Sequence, residues 1–192
     1  IMPSLVGSEM CIRDSMVSAN LLGYPYTVVS PRVSKLADLD RVDPKVFLRY
    51  LQLSSVMPVM NIAFAPWNIT DPAVAASCKA IVNDRARLGA YYEQLVSESK
   101  RTAEPVLRHL EYEFPRNGFT DCDDQFMLGS RFLIAPLLDG KNSRMVRFPR
   151  GIWVDASGKR YRGPLVTTVT ASNDHVLYFE SEKNGDTKKQ GN

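Results

Sequence analysis

Two Asp-Pro pairs, Asp43-Pro44 and Asp71-Pro72, do most to limit how this chain can fold. An aspartate at the N-cap followed by proline at the first helical position is a strong helix start. The carboxylate accepts from otherwise free N–H groups, and proline has no N–H to leave unpaired. Each pair follows an apolar, β-rich run, Asn20 to Val29 (NLLGYPYTVV) before the first and Val56 to Phe64 before the second. Behind the first pair, Phe47, Tyr50 and Leu51 recur at helical spacing and predict a helix over 44–55. Behind the second, Val74, Cys78, Ile81 and Val82 open a helical region running to about Ser99. Strand, helix, strand, helix is the order that a parallel α/β sheet or barrel requires.

Beyond Glu104 the pattern changes. The runs PVLRHLEYEF, RFLIAPLL, RMVRFP, IWVD, YRGPLVTTVT and HVLYFE are separated by Gly, Asn, Asp and Pro at short, regular intervals. That is the punctuation of an all-β domain, and a sandwich is expected. The closing SEKNGDTKKQGN has no large apolar residue to offset the entropy of ordering it, so residues 181–192 are expected to be a disordered tail. The opening IMPSLVGSEMCIRDS lacks a basic start and carries Glu9, Arg13 and Asp14 where a secretory leader needs an unbroken apolar core. It resembles translated adapter sequence, so residues 1–15 are set aside as an assembly artefact and homology is expected to begin near Val17.

Composition removes several classes of function. The 24 basic and 21 acidic residues are interspersed, which argues against a nucleic-acid partner. The most apolar window, Val56 to Trp67, is interrupted by Pro58, Asn61 and Pro66 and is shorter than the roughly 18 to 20 residues of a membrane span, so no transmembrane segment is expected. Cys11, Cys78 and Cys122 form no CxxC pair, and their odd number argues against a disulfide framework or a zinc site. No phosphate-cradling, dinucleotide or HExxH string occurs, and neither a cofactor nor a metal is expected.

Few residues are candidates for chemistry. Asp121, Asp123 and Asp124 are the densest acidic group, but Gln125 and Phe126 stand where a calcium loop needs an oxygen ligand and a glycine, and a turn whose carboxylates meet arginines is expected instead. His109 and His175 are read as structural or exposed, since a metal site needs several convergent ligands. Asn68-Ile69-Thr70 matches a glycosylation sequon, which has meaning only in the secretory pathway. Phe64 and Trp67 lie where the second strand ends. In a barrel that end faces the active site, so they could stack on a sugar, or else pack beneath the following loop.

Six strings together resemble glycoside hydrolase family 31, the α-glucosidase-like enzymes. They are NLLGYP at 20–25, FLRYLQLSSVMPVM at 47–60, APWN at 65–68, EPVLRHLEYEFP at 104–115, DDQFMLGSRFLIAPLL at 123–138 and RFPRGIWVD at 147–155. Pro66-Trp67 is most similar to the branch that contains the myogenesis-regulating glycosidases. The resemblance implies an α/β plus all-β chain. Residues 16–103 would form the end of a (β/α)8 TIM barrel, its last two strand-helix units, and 104–180 the proximal C-terminal β-sandwich. It implies a carbohydrate substrate, an α-glycoside, cleaved with retention by two carboxylates about 5 to 5.5 Å apart. In that family both aspartates lie on earlier barrel strands, so no catalytic residue is expected in this chain, which alone should be an inactive fragment.

Two departures stand against the family pattern. Ser30-Pro31-Arg32-Val33-Ser34 replaces an aspartate and glycine-rich turn at the sugar pocket, and Asn61, Ile62, Ala63 and Phe64 stand where many relatives have Arg-Asn-His-Asn. They leave open an alternative, a non-catalytic carbohydrate-binding or interaction protein on the same fold. A freestanding sandwich with its own ligand is disfavoured, because the end of a barrel alone would leave open strand edges.

Overall fold

The computed structural model describes residues 15–29, 43–62, 68–137 and 141–182. The opening segment up to residue 14, the Ser30–Ser34 departure, Ala63, Phe64 and Trp67, and the tail after 182 lie outside them.

The N-terminal part is built from alternating helices and short strands. Helix α1 occupies 15–21, where the sequence predicts a strand beginning at Asn20. The strand is instead confined to β1, Val28–Val29. Asn20 explains the difference, because its buried carboxamide donates to the Met16 carbonyl and to Thr27 Oγ1, both at 3.0 Å, closing the turn between helix and strand. Helix α2, Pro44–Ser55, has the expected bounds and is capped by Asp43, which accepts from Lys45 N at 2.8 Å. Strand β2, Val59–Met60, is shorter than the Val56–Phe64 run and lies parallel to β1 with Val28 opposite Val59. The β1–α2–β2 crossover is thus the unit that the two Asp-Pro pairs demanded.

The helical region expected to run to Ser99 is two helices. Helix α3, Pro72–Arg87, starts at the Asp71 cap, and α4, Gly89–Thr102, follows a break at Leu88. Arg85, in the last turn of α3, makes the turn back worthwhile. It donates to the carbonyls of Ser55, Met57 and Pro58 at 3.3, 2.9 and 2.8 Å, and its guanidinium lies 3.5 Å from the centre of the Tyr92 ring on α4. One side chain therefore satisfies carbonyls at the end of α2 and ties three helices together.

The C-terminal part is one six-stranded antiparallel sheet. Its strands are β3 (Leu107–His109), β4 (Phe126–Leu128), β5 (Phe132–Ile134), β6 (Ser143–Asp155), β7 (Arg160–Thr170) and β8 (Tyr178–Ser181), in spatial order β3-β4-β5-β8-β6-β7. PVLRHLEYEF, expected as a strand, becomes β3 and then a short helix α5, Leu110–Glu113. RMVRFP and IWVD, expected as two strands, are one strand with a bulge between Phe148 and Gly151. Opposite that bulge stands Gly163, where a Cβ would fall 1.8 Å from the Pro149 carbonyl oxygen, so only glycine fits the close approach.

Alternation along the strands separates two cores. Phe126, Leu128, Phe132 and Ile134 face the helices and pack with Tyr50, Leu53, Tyr92 and Leu95. Met127, Leu133 and Phe179 point the other way and meet Val146, Phe148, Trp153 and Tyr161 of the β6–β7 hairpin. Because β6 pairs with β8 only through Trp153–Asp155, the rest of the hairpin folds back over the second face of the sheet. Buried Gln125 holds it there, donating to the Arg147 carbonyl at 3.0 Å and accepting from Arg147 N at 2.8 Å, a side-chain copy of a strand ladder. Each large apolar side chain so buried stabilises by about 1.5 to 3 kcal/mol.

Helices and sheet are joined by a polar node on α2. Arg49, 2% exposed, donates to the carbonyls of Ser172 at 2.6 Å and Lys141 at 3.2 Å and to Gln52 Oε1 at 2.9 Å. Gln52 Nε2 donates in turn to Ser172 and Asn173 carbonyls at 3.1 and 2.8 Å. Arg49→Met fills the volume but strands these carbonyls. It is expected to lower unfolding free energy by roughly 2 to 4 kcal/mol, read by urea denaturation. A loss under about 0.5 kcal/mol, the range of neutral surface changes, would remove the node from the account.

The turn of the β6–β7 hairpin supplies a pH test. Burial of the Asp155 carboxylate opposes its ionisation, but hydrogen bonds from the Ser157 hydroxyl and N–H, Lys159 N and Tyr161 OH outweigh it and hold its pKa below the ordinary carboxylate range. A lowered folded pKa contributes stability that is complete above the unfolded value and is lost as pH falls through the folded one. Melting temperature is therefore expected to fall below about pH 4, the ordinary aspartate range, and Asp155→Ala should flatten the fall in that acid window.

Candidate functional site

The candidate site is the end of the parallel pair, because in open and closed α/β sheets ligands bind outside the carboxyl ends of the strands. β1 ends at Val29 and β2 at Met60, side by side in register. Buried Ser54, the penultimate residue of α2, holds both ends. Its hydroxyl lies 3.4 Å from the Val29 carbonyl oxygen and 3.2 Å from that of Asn61, and accepts from Asn61 N at 3.2 Å. At the other end of the pair, Val59 N donates to the Thr27 carbonyl at 3.0 Å. Asn20 Oδ1 accepts from Leu107 N at 3.2 Å, which fastens the start of β1 to the antiparallel sheet. The direction in which the chain leaves β1 and β2 is thus set by polar contacts from elements behind them.

Phe64 and Trp67, the two residues that sequence reasoning placed at this rim, lie outside the described residues. Asn61 and Ile62, the first two positions of the departure from Arg-Asn-His-Asn, are half-buried at the end of β2, and Ile62 packs against the cluster of Leu48, Leu51 and Ile81.

Several of the remaining sequence candidates are absorbed by the fold. Asp121 meets Arg147 at 3.1 Å, and that hydrogen bond holds its carboxyl below the usual range. Asp124 pairs with Arg144, which also donates to the carbonyls of Asp124 and Pro136 at 2.8 and 2.7 Å. The acidic turn is therefore a clamp on the β6–β7 hairpin. His109 stands at the N-cap of α5 with Nε2 3.5 Å from Ser18 Oγ. Cys78 and Cys122 are free and buried, and burial pushes both thiols up to about 11, with Asp124 adding to the effect at Cys122. Such thiols are poor nucleophiles near neutral pH. Among the described residues no three His, Cys, Asp or Glu side chains converge on a metal position, and no helix is long and apolar enough to cross a membrane.

What sequence reasoning missed is the supporting set: Asn20, Arg49, Gln52, Ser54, Arg85 and Gln125. Five of them lie on helices, three on α2 among the apolar residues that the periodicity picks out. A polar residue on an otherwise buried stripe is the signal that marks them, since such a group is kept only where it has partners.

Comparison with known proteins gives this geometry its relatives. Residues 103–182 match the model of the Glycosyl hydrolase family 31 C-terminal domain. The chain is 27% identical to a Myogenesis-regulating glycosidase of Mus musculus, over 92% of this chain and 27% of that protein. It is 36% identical to an Alpha-glucosidase of Saccharolobus solfataricus, over 39% of this chain and 11% of the relative. Among solved structures it superposes on a GH31 α-xylosidase from a soil metagenome complexed with xylose, with TM-score 0.73 and 22% identity, over 88% of this chain and 29% of that one. It likewise superposes on a cycloalternan-forming enzyme from Listeria monocytogenes in complex with pentasaccharide substrate, with TM-score 0.79 and 19% identity, over 93% and 18%. These structural likenesses show the fold alone. The chain spans about a quarter or less of the length of the curated relatives it matches, 27% of one and 20% of another. The resemblance to family 31 read from the sequence holds.

Ser54→Ala tests whether the strand ends depend on α2. Losing the hydroxyl leaves the buried Val29 carbonyl and the half-buried backbone of Asn61 without this partner, at a cost of about 1 to 3 kcal/mol. Hydrogen exchange is expected to accelerate at Asn61 N, while the β6–β7 ladder keeps its protection. Equal acceleration in both would mean that Ser54 supports the whole fold and not the rim.

Proposed function

We propose, on the premise that this chain is a relative of glycoside hydrolase family 31, that it forms the end of the (β/α)8 barrel and the adjoining β-sandwich of a retaining α-glycosidase. Residues 16–103 are assigned to the barrel's last two strand-helix units and 104–180 to the sandwich. The observation that carries the reading is the order of the fold. A parallel β1–α2–β2 crossover, followed by α3 and α4, packs through one shared core on the antiparallel sheet, and the sheet coincides with the match to the family's C-terminal domain. The hairpin that folds over the second face of the sheet supports the sandwich assignment.

In this reading the substrate is a carbohydrate, an α-linked glycoside. The nucleophile and the acid/base carboxylate come from barrel strands other than β1 and β2, and this chain contributes the rim at their ends. Phe64 and Trp67 would border the sugar, where a flat apolar ring covers the C–H face of a pyranose. Isolated from the rest of a barrel the chain would be inactive. A run of exposed apolar groups fits that view, with Leu22 78%, Tyr24 67%, Tyr26 57% and Val28 41% exposed beside the edge of β1. Surfaces of this kind drive association, so residues 16–192 expressed alone are expected to elute as polydisperse aggregates in size-exclusion chromatography. A monodisperse, cooperatively melting preparation would contradict the barrel assignment.

A second reading, a non-catalytic carbohydrate-binding protein, is favoured by one observation: Asn61, Ile62, Ala63 and Phe64 stand where many relatives keep a sugar-binding histidine. Activity separates the two. A protein containing this chain together with a complete barrel is expected to hydrolyse aryl α-glucosides or α-xylosides and to release the α-anomer first, as seen by proton NMR. Trp67→Ala should then lower kcat/KM about tenfold, the equivalent of roughly 1.4 kcal/mol of transition-state contact, with melting temperature unchanged. A fall in melting temperature with kcat/KM unchanged would make Trp67 a packing residue. Sugar binding without turnover would favour the second reading.

A further inference from the structure

The chain contains a single Asn-x-Ser/Thr tripeptide, Asn68-Ile69-Thr70, in the approach to α3, and its three side chains have different fates. Ile69 is 8% exposed and packs with Phe47, Leu48, Leu51, Val74, Cys78 and Ile81. Asn68 and Thr70, one residue to either side, are both exposed. The carboxamide and the hydroxyl thus both belong to residues open to solvent. Neither side chain makes a hydrogen bond among the described residues, and the helix start beside them is satisfied without them, because Asp71 caps Ala73 N at 2.8 Å and Val74 N at 3.4 Å. The residue after the tripeptide is Asp71, and no proline occupies its middle position.

We propose that Asn68 is an acceptor for an asparagine-linked glycan when the chain is made in the secretory pathway. The donor is an oligosaccharide joined to a polyprenyl carrier through pyrophosphate. Asn68 Nδ2 bonds to the anomeric carbon, the bond from that carbon to the pyrophosphate oxygen breaks, the amide loses one proton, and the polyprenyl pyrophosphate leaves. The Thr70 hydroxyl is the recognition element two residues on. The attached sugar would extend from an exposed side chain, with Ile69 anchoring the backbone beneath it and the Asp71 cap undisturbed. The inference is independent of the glycosidase reading, since it uses only the exposure pattern of this turn.

The test is translation of the full chain, fused to a cleavable secretion signal, with translocation-competent microsomes. The wild type is expected to give one higher-mass species that collapses on treatment with peptide N-glycosidase. Asn68→Gln and Thr70→Ala should abolish it, and Thr70→Ser should keep it at reduced yield. A chain carrying Asn68→Gln plus a sequon appended at its C-terminus controls for translocation. If that control is modified and the wild type is not, the proposal is overturned. It is equally overturned if the shifted species persists in Asn68→Gln alone.

Discussion

The architecture turns on a buried guanidinium. Arg49 lies on the crossover helix α2, yet most of its named acceptors belong to the other half of the chain, the Ser172 and Lys141 carbonyls at 2.6 and 3.2 Å. A charged group removed from water is tolerated only when fixed dipoles replace its hydration. Here main-chain carbonyls of two loops and the Gln52 amide oxygen do so. This fixes how the helical layer meets the sheet more tightly than apolar contact alone, because carbonyl direction and distance admit little sliding. The apolar core of Tyr50, Leu53, Phe126 and Phe132 then packs between surfaces whose relative position is already determined.

From that node, constraint passes along α2 toward the strand ends. Gln52 repeats the grip of Arg49 on residues 172–173, and Ser54, two residues further on, bridges Val29 and Asn61. Arg85 closes the end of the same helix from α3. A single helix thus reads the position of the β domain with one set of side chains and sets the exit of two parallel strands with another. Under the proposed reading, this is how a domain without catalytic groups shapes a sugar site, by determining where the segments that carry Phe64 and Trp67 leave the strands.

Part of this was legible in the sequence. The Asp-Pro pairs located the starts of α2 and α3, because a cap and a proline are local signals that tertiary contacts seldom override. The Asn20–Val29 run misled because apolar, β-rich character does not distinguish a strand from a helix end when one polar residue decides the matter. Asn20 closes α1, and only Val28–Val29 remain extended in the sheet. The break at Leu88 was missed although Gly89 and the basic last turn, Arg85 and Arg87, mark it locally, and Arg85 anchors it to carbonyls some thirty positions earlier. Pro149 and Gly151 read as a turn between two strands, but they form a bulge in one. What decides is Gly163 on the partner strand, where the missing Cβ admits the Pro149 carbonyl. Sequence periodicity reports average local preference, and single residues override it, Asn20 within its own segment and Gly163 from the partner strand.

The family string that begins at Asp123 shows the same division between pattern and cause. As a sequence it is an aspartate-led motif with no evident chemistry. In the fold its members hold a hairpin against a sheet: Asp124 pairs with Arg144, Gln125 doubles as a strand rung for Arg147, and Met127 and Leu133 floor the second core. Because β6 shares only three paired positions with β8, the hairpin has little ladder to hold it and depends on these side chains for its place. A string can therefore be distinctive of a family with no part in its chemistry, when a long element is tethered by side chains and not by backbone pairing. Asp124 finds its arginine twenty positions downstream, and Asp121, just before the string, finds Arg147, which is the turn of carboxylates meeting arginines that the sequence led one to expect.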